Sequence, residues 1–315
     1  MNRIFQILLY ALCIIYSNQL SAQSLKLNQI QVIGSHNSYK SQLAPEILDY
    51  LSKINPAASQ SLAYSHIPLE AQLDLGLRNL ELDVFHDPEG GRFSNPKGLD
   101  IIKSGGGNIP DYDPTNALAK PGLKLFHIQD LDFQSHYLLF SDALKALKLW
   151  SENNPNHSPI FILINAKDGN IAGTRPVLPF TAAALDSIDL EIRTHLGLNK
   201  LITPDDVMGN QSNLESAVLA GQWPTAGFRI INGAERDEAY IRELVQKGYM
   251  IRTRADSDTK QARTNDYSTF EKAKASGAQV ISTDYYIPST YFNSDYKISF
   301  EGNVYERPNP ILIKK

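Results

Sequence analysis

The stretch IQVIGSHNSYK at residues 30–40 predicts both the fold and the position of its chemistry. Its apolar, β-branched first half predicts a buried strand, and His36 and Asn37 follow shortly after a glycine. Enzymes built on parallel strands carry their reactive side chains at the carboxyl ends of those strands. The stretch therefore predicts a functional strand end. From this segment alone, a strand followed by a polar turn with an idle histidine is an equally good explanation.

Outward from this stretch, strand-like and helix-like segments alternate along the chain. Such alternation predicts βαβ units around a parallel sheet, and we predict an α/β fold of the TIM-type (β/α) barrel class. About seven strands are predicted, close to the eight of a closed barrel. These strands cover residues 30–33, 79–85, 123–126, 160–164, 228–231, 250–253 and 279–283.

Length and composition allow one large domain and exclude some partners. The chain has 315 residues, 42% of them hydrophobic, which suits a single barrel of roughly 250 residues. Its formal net charge of -4 and the lack of a dense Lys/Arg run argue against nucleic acid as a partner. We expect a monomer.

The N-terminus has the pattern of an export signal. Arg3 precedes an apolar core at residues 4–16, and Ala22 offers a small residue for cleavage. This core of about 13 residues is shorter than a membrane-spanning helix requires, so we predict an exported protein without a transmembrane anchor. The only cysteine, Cys13, lies in this segment, so the mature chain must be stable without disulfides. The predicted division is a signal peptide at 1–22, a barrel at 23–290 and a tail packed on the barrel at 291–315.

Polar side chains recur at the ends of the predicted strands. In a parallel barrel they would converge on one rim, where Asn, Glu and Asp oxygens suit Ca²⁺ or Mg²⁺. Two histidines beside such an ion predict a general base and a general acid, and a lysine would stabilise an anion. Together these groups predict cleavage of a phosphodiester. They are His36, Asn37, Glu81, Asp83, His127, Asn165, Lys167 and Asp284.

Several segments of the chain resemble one family of enzymes. The resemblance is to the bacterial Ca²⁺-dependent phosphoinositide-specific phospholipase C family, a branch of the phosphatidylinositol phospholipase C and glycerophosphodiester phosphodiesterase barrels. It extends over residues 27–286. The segments that carry it are GSHNSYK at 34–40, LELDVFHDPEGG at 80–91, FHIQDLD at 126–132, GYMIRTRADSDTKQAR at 248–263 and GAQVISTDYY at 277–286.

The resemblance implies specific roles for the residues at the strand ends. His36 and His127 would be the two catalytic histidines, while Asn37, Glu81 and Asp83 would bind calcium. Asn165 stands where relatives usually have a glutamate ligand, so it would contribute an oxygen without charge and calcium would bind more weakly. We expect calcium as the cofactor, with magnesium as the less favoured ion.

Three basic residues are candidates for binding the substrate. Lys167 follows a predicted strand and is expected to contact the phosphate. Arg252 and Arg254 alternate on another strand, where one of them could hold the phosphate or inositol through two hydrogen bonds. An ion pair within the barrel is the alternative for both arginines. His66 and the other remaining histidines are expected to be surface or supporting groups.

The implied reaction is cleavage of phosphatidylinositol, met transiently at a membrane surface. The inositol 2-hydroxyl would attack the phosphorus of its own molecule, forming a cyclic phosphate and releasing diacylglycerol. One alternative is a glycerophosphodiesterase, against which Asn37 argues because that group usually has an arginine there. Another is an inactive barrel that binds inositol phosphates or a lipid surface, suggested by Asn165 and by a family segment that is missing after Trp223. The resemblance implies that this segment includes a strand of the barrel. Either residues 201–227 supply a substitute, or the barrel is distorted or incomplete around residues 201–228.

Overall fold

The computed structural model describes residues 25–203, 205–206, 210 and 227–313. The predicted signal peptide at 1–22 lies outside these residues. So do Trp223 and most of the region between 201 and 228. Within the described ranges, no helix is both long enough and apolar enough to cross a bilayer.

One eight-stranded sheet organises the described chain. Strands β4, β2, β1, β7, β6 and β5 lie side by side in that order, and all neighbours in this series run parallel. The strands are β1 (Ile30–Ser35), β2 (Asn79–Phe85), β3 (Lys124–Leu125), β4 (Phe161–Ala166), β5 (Phe228–Ile230), β6 (Met250–Arg254), β7 (Val280–Thr283) and β8 (Glu306–Pro308).

Helices follow most of the strands and cover the sheet, as the α/β prediction requires. Apolar side chains of the sheet and helices form two main cores, one around β6 and β7 and one around β2. The helices are α1 (Pro45–Ile54), α2 (Pro56–Ser61), α3 (Leu69–Leu75), α4 (Gly98–Ser104), α5 (Phe140–Asn153), α6 (Ala182–His195), α7 (Ala234–Gln246), α8 (Lys260–Thr264) and α9 (Ser268–Ser276).

The barrel is not closed by the residues that the structure describes. Strand β4 pairs with β2 and β5 pairs with β6, but the described residues make no pairing between β4 and β5. In the sequence, residues 201–228 lie between these two strands. Over the described residues, the fold is therefore an α/β barrel that is incomplete between β4 and β5, as the prediction for residues 201–228 expected.

One predicted strand has a different role from the others. Strand β3 runs antiparallel to β2 and pairs only with its last two residues, Val84 and Phe85. The prediction of seven parallel strands was therefore wrong at residues 123–126. His127, two residues after β3, still lines one pocket with His36 and Asp284, which follow β1 and β7.

Two strands pair with successive parts of the first strand. Strand β8, from the C-terminal tail, runs antiparallel to the first half of β1, whereas β2 meets β1 at the pair Gly34 and Asn79. A Cβ atom on Gly34 would lie 2.2 Å from the backbone oxygen of Asn79. Glycine is therefore required at this crossing, just before the chain reaches His36.

Candidate active site

The position of His36 follows from the parallel pairing of β1 with β7. Ser35 is paired with Thr283, so the next residue on each strand, His36 and Asp284, emerge side by side. His36 Nδ1 lies 2.9 Å from Asp284 Oδ1. Burial alone would raise the pKa of Asp284, but the charges of His36 and Arg254 outweigh burial and hold it well below its usual range. An ionised Asp284 accepts a hydrogen bond from the protonated Nδ1 of His36. The Nε2 atom of the ring is then free to accept a proton.

His127 has an equivalent partner within its own turn. The backbone amides of His127 and Ile128 both donate to the carbonyl oxygen of Asp132, and His127 Nδ1 lies 2.9 Å from Asp132 Oδ2. Lys40 Nζ is 3.1 Å from the other carboxylate oxygen, and both of these side chains are fully buried. Burial would raise the pKa of Asp132, but Lys40 and His127 together lower it.

The two histidines face one pocket of about 350 Å³. The pocket lies at the carboxyl ends of β1, β6 and β7 and next to α2. Two rings with their Nδ1 atoms engaged by buried carboxylates can each use Nε2 to move a proton in this space. The polar and aromatic side chains that line it are His36, Ser61, Tyr64, His127, Arg254, Asp258 and Asp284.

Glu81 and Asp83 share one face of β2, as their spacing predicts. Glu81 Oε1 lies 3.9 Å from His36 Nε2, and its other oxygen is 2.6 Å from Arg252 Nη2. Asp83 pairs in register with Asn165 on β4 and accepts a 3.0 Å hydrogen bond from its Nδ2. The two carboxylates therefore connect His36 to the residues at the end of β4.

The residues that could hold a calcium ion supply only oxygen atoms. No group of three or more His, Cys, Asp or Glu residues suited to a metal ion occurs among the described residues, so the two carboxylates need the amides of Asn37 and Asn165. Asp83 Oδ2 is buried and lies 3.2 Å from Lys167 Nζ. Two carboxylates and two amide oxygens are the donors that suit a hard divalent cation, so the set fits calcium.

The three predicted basic residues all form ion pairs. Lys167 Nζ lies 3.2 Å from Asp83 Oδ2, and Arg252 contacts Glu81. Arg254 Nη2 lies 2.9 Å from Asp284 Oδ2. Both arginines thus make the ion pairs that were the alternative to substrate binding. Of the three, Arg254 also lines the pocket of the two histidines.

Several residues of the site carried no assigned role in the sequence. Asp132 lies five positions after His127 in the segment FHIQDLD, and a carboxylate at that distance in a tight turn could have indicated a partner for the ring. Asp284 was recognised only as a strand end. Asp256 and Lys40 gave no local signal, because their partners Asp284 and Asp132 are distant in the sequence.

Two histidines with buried carboxylate partners, beside oxygen ligands and cations, are the features of an acid–base enzyme for an anionic substrate. A family model described as "Phosphoinositide phospholipase C, Ca2+-dependent" matches residues 25–227 and 224–310. The chain therefore belongs to the Ca²⁺-dependent phosphoinositide phospholipase C family, whose members are phosphodiesterases. The two matched parts meet at residues 224–227, next to Trp223, where a family segment was expected to be missing.

One solved structure is similar along most of its length. It is the calcium-dependent phosphoinositol-specific phospholipase C from the Gram-negative bacterium Pseudomonas sp., in its apo form. The two sequences are 14% identical, the alignment covers 92% of this chain and 97% of that one, and the TM-score is 0.43. No curated protein matches the chain.

Proposed function

We propose that the chain is a calcium-dependent phospholipase C that converts phosphatidylinositol into diacylglycerol and a cyclic inositol phosphate. The observation that carries this proposal is the pair of histidines on one pocket, each with Nδ1 held by a buried aspartate. Both rings keep Nε2 for proton transfer, as a base and an acid acting on one phosphodiester require.

His36 is proposed as the base and His127 as the acid. His36 lies next to Asn37 and near Glu81, two of the proposed calcium ligands, so it is placed to take the proton of the inositol 2-hydroxyl. That oxygen attacks the phosphorus of the same molecule, and the bond from phosphorus to the glycerol oxygen breaks. His127 gives its proton to the leaving oxygen. Attack within one molecule needs no second reactant to be positioned.

Calcium would be held by Asn37, Glu81, Asp83 and Asn165. Bound there, it would make the 2-hydroxyl more acidic and stabilise the negative charge on the phosphate. Arg252 and Lys167 partly neutralise the two carboxylates, and Asn165 adds no charge, so we expect weaker binding than at a site with three carboxylates. Calcium bound to Asp83 would take the place of Lys167 there, and the ammonium group of Lys167 would then be available for the substrate phosphate.

The same proposal includes export and a transient encounter with a membrane. The segment 1–22 would be cleaved, leaving the barrel of residues 23–290 and the tail of residues 291–315. The substrate is then a phospholipid at a membrane surface, which the protein meets as a monomer from outside the cytoplasm. The apolar core at 4–16 and Ala22 support this part of the proposal.

Phosphorus NMR of a reaction mixture distinguishes the candidate functions. Purified chain beginning at Gln23 is given phosphatidylinositol with calcium, with magnesium, or with a chelator. A cyclic phosphate that appears before any linear phosphate, only with calcium, supports the proposal. Linear phosphate alone from the first time points would favour the glycerophosphodiesterase. No product, together with intact binding of inositol phosphate, would favour the inactive barrel.

A further inference from the structure

Two aromatic side chains from one short segment hold the dipeptide His36-Asn37. The Tyr64 hydroxyl accepts a 2.7 Å hydrogen bond from Asn37 Nδ2, and His66 Nε2 lies 2.7 Å from the backbone oxygen of His36. Tyr64 is 3% exposed and His66 is 5% exposed. The segment thus contacts the proposed base through its backbone and the proposed calcium ligand through its side chain.

The dipeptide needs such support because its backbone is unusual. Asn37 has a φ of 49°, in the left-handed region, directly after the extended residues of β1. This conformation is uncommon for residues with a side chain, although asparagine tolerates it better than most. It persists where the surroundings determine it. The two hydrogen bonds contribute to this, together with those that the Lys40 amide donates to the Asn37 oxygen and the His36 amide donates to the Thr283 oxygen.

The His66 ring is suited to hold the His36 backbone because it can only donate a hydrogen bond to that carbonyl oxygen. Burial lowers its pKa to about 4, so the ring is neutral near pH 7. A carbonyl oxygen can only accept, so the single ring proton lies on Nε2 and is donated to His36. The ring stacks on Tyr286 with centroids 5.4 Å apart. His136 Nε2 lies 2.7 Å from the backbone oxygen of His66 and fixes the segment from its other side.

We infer that Tyr64 and His66 are positioning residues for the first half of the active site. Tyr64 engages the amide nitrogen of Asn37, which leaves the amide oxygen to be offered to a cation. His66 fixes the backbone of His36 and so the direction of its ring toward the pocket. This inference rests on the proposed roles of His36 and Asn37. It adds Tyr64, to which the sequence assigned no role, and His66, which was grouped with the surface or supporting histidines.

The role of Tyr64 is tested by calcium binding in the absence of substrate. In Tyr64→Phe, calorimetric titration with calcium chloride should show about fivefold weaker binding, the usual effect of one lost hydrogen bond. Tyr305→Phe is the matched control, because its buried hydroxyl donates a 2.9 Å hydrogen bond to the backbone oxygen of Tyr286 instead. It should lose comparable thermal stability but bind calcium like the wild type. Equal calcium binding by both variants would overturn the role of Tyr64.

The role of His66 is tested by kinetics and by the signals of the His36 ring. In His66→Leu, kcat should fall by about tenfold while KM changes little, and His66→Gln should recover most of kcat because its amide can donate to the same carbonyl. Equal kcat in His66→Leu and the wild type would overturn the role of His66.

Histidine-selective NMR keeps this inference separate from the proposed function. The ring signals of His36, identified by their loss in His36→Ala, should shift in Tyr64→Phe and His66→Leu but not in Tyr305→Phe. If the wild type neither binds calcium nor cleaves phosphatidylinositol, the proposed function fails and these ring signals still decide whether the two residues position His36. Unchanged His36 signals in both variants would overturn the inference.

Discussion

Asp284 holds His36 at one carboxylate oxygen and Arg254 at the other, and each contact is 2.9 Å long. The arginine comes from the end of β6 and the histidine from the end of β1, so the aspartate of β7 joins three strands of the sheet. This arrangement fixes the ring of His36 and keeps its proton on Nδ1. The proposed base therefore depends on a residue whose two carboxylate oxygens are engaged by His36 and Arg254.

Replacing Asp284 with asparagine should remove most of the activity while the fold is kept. The amide can donate to His36 Nδ1, which would move the ring proton to Nε2 and prevent that atom from accepting another. We expect kcat to fall by about 100-fold or more, the range attributed to general acid–base catalysis. Steady-state assays with Asp142→Asn, an exposed pair with Lys145, provide the control. A wild-type kcat in Asp284→Asn would show that the ring does not depend on this contact.

Asp83 should determine how strongly calcium binds. In Asp83→Asn the site loses one of its two carboxylates, so the calcium concentration at half-maximal activity should rise by about tenfold or more. Activity at saturating calcium should be less affected. Asp142→Asn is again the matched control. A calcium titration that coincides with the wild type would remove Asp83 from the ligand set.

The buried pair of Lys40 and Asp132 should be important for stability. In Lys40→Met the carboxylate loses its buried cation, and breaking such a pair costs about 3 kcal/mol in the free energy of unfolding. Urea denaturation measures this loss. Lys145→Met removes an exposed cation from Asp142 and should cost less than about 1 kcal/mol. A Lys40→Met protein as stable as this control would contradict the buried pairing.

Asp256 should make folding stability depend on pH. Burial, followed by the charge of Asp284, raises the pKa of Asp256 to about 7 from an ordinary value of 3.8. Between these values the folded chain retains a proton that the unfolded chain has released, so the free energy of unfolding falls as pH rises toward 7. The lowered pKa of Asp284 acts in the opposite sense, but only below the ordinary value.

An asparagine at position 256 removes this titration and can still accept a hydrogen bond from the Asp284 amide. Relative to wild type, Asp256→Asn should therefore become more stable as pH is raised from 5 to about 8. Urea denaturation at several pH values measures the difference. A constant difference between the two proteins across this range would mean that Asp256 is already ionised in the fold at pH 5.

The sequence predicted the strands and the two histidines because those features are local. Alternation of apolar segments identified the parallel strands, and the segments around His36 and His127 identified a family. The antiparallel direction of β3 was missed because its pairing with Val84 and Phe85 depends on the course of a long loop. The partners of the histidines were missed because Asp284 reaches His36 only when β1 and β7 pair in register, 248 positions apart in sequence.

The central claim is that His36 and His127 act together on one phosphodiester. The direct test compares kcat for phosphatidylinositol cleavage in His36→Ala, His127→Ala and the double variant, with His195→Ala as a control. Each single variant should lose about 100-fold or more, and the double variant should be little slower than the slower single one, because groups acting as a unit are not additive. Losses that multiply in the double variant, or a single variant with wild-type turnover, would contradict the claim.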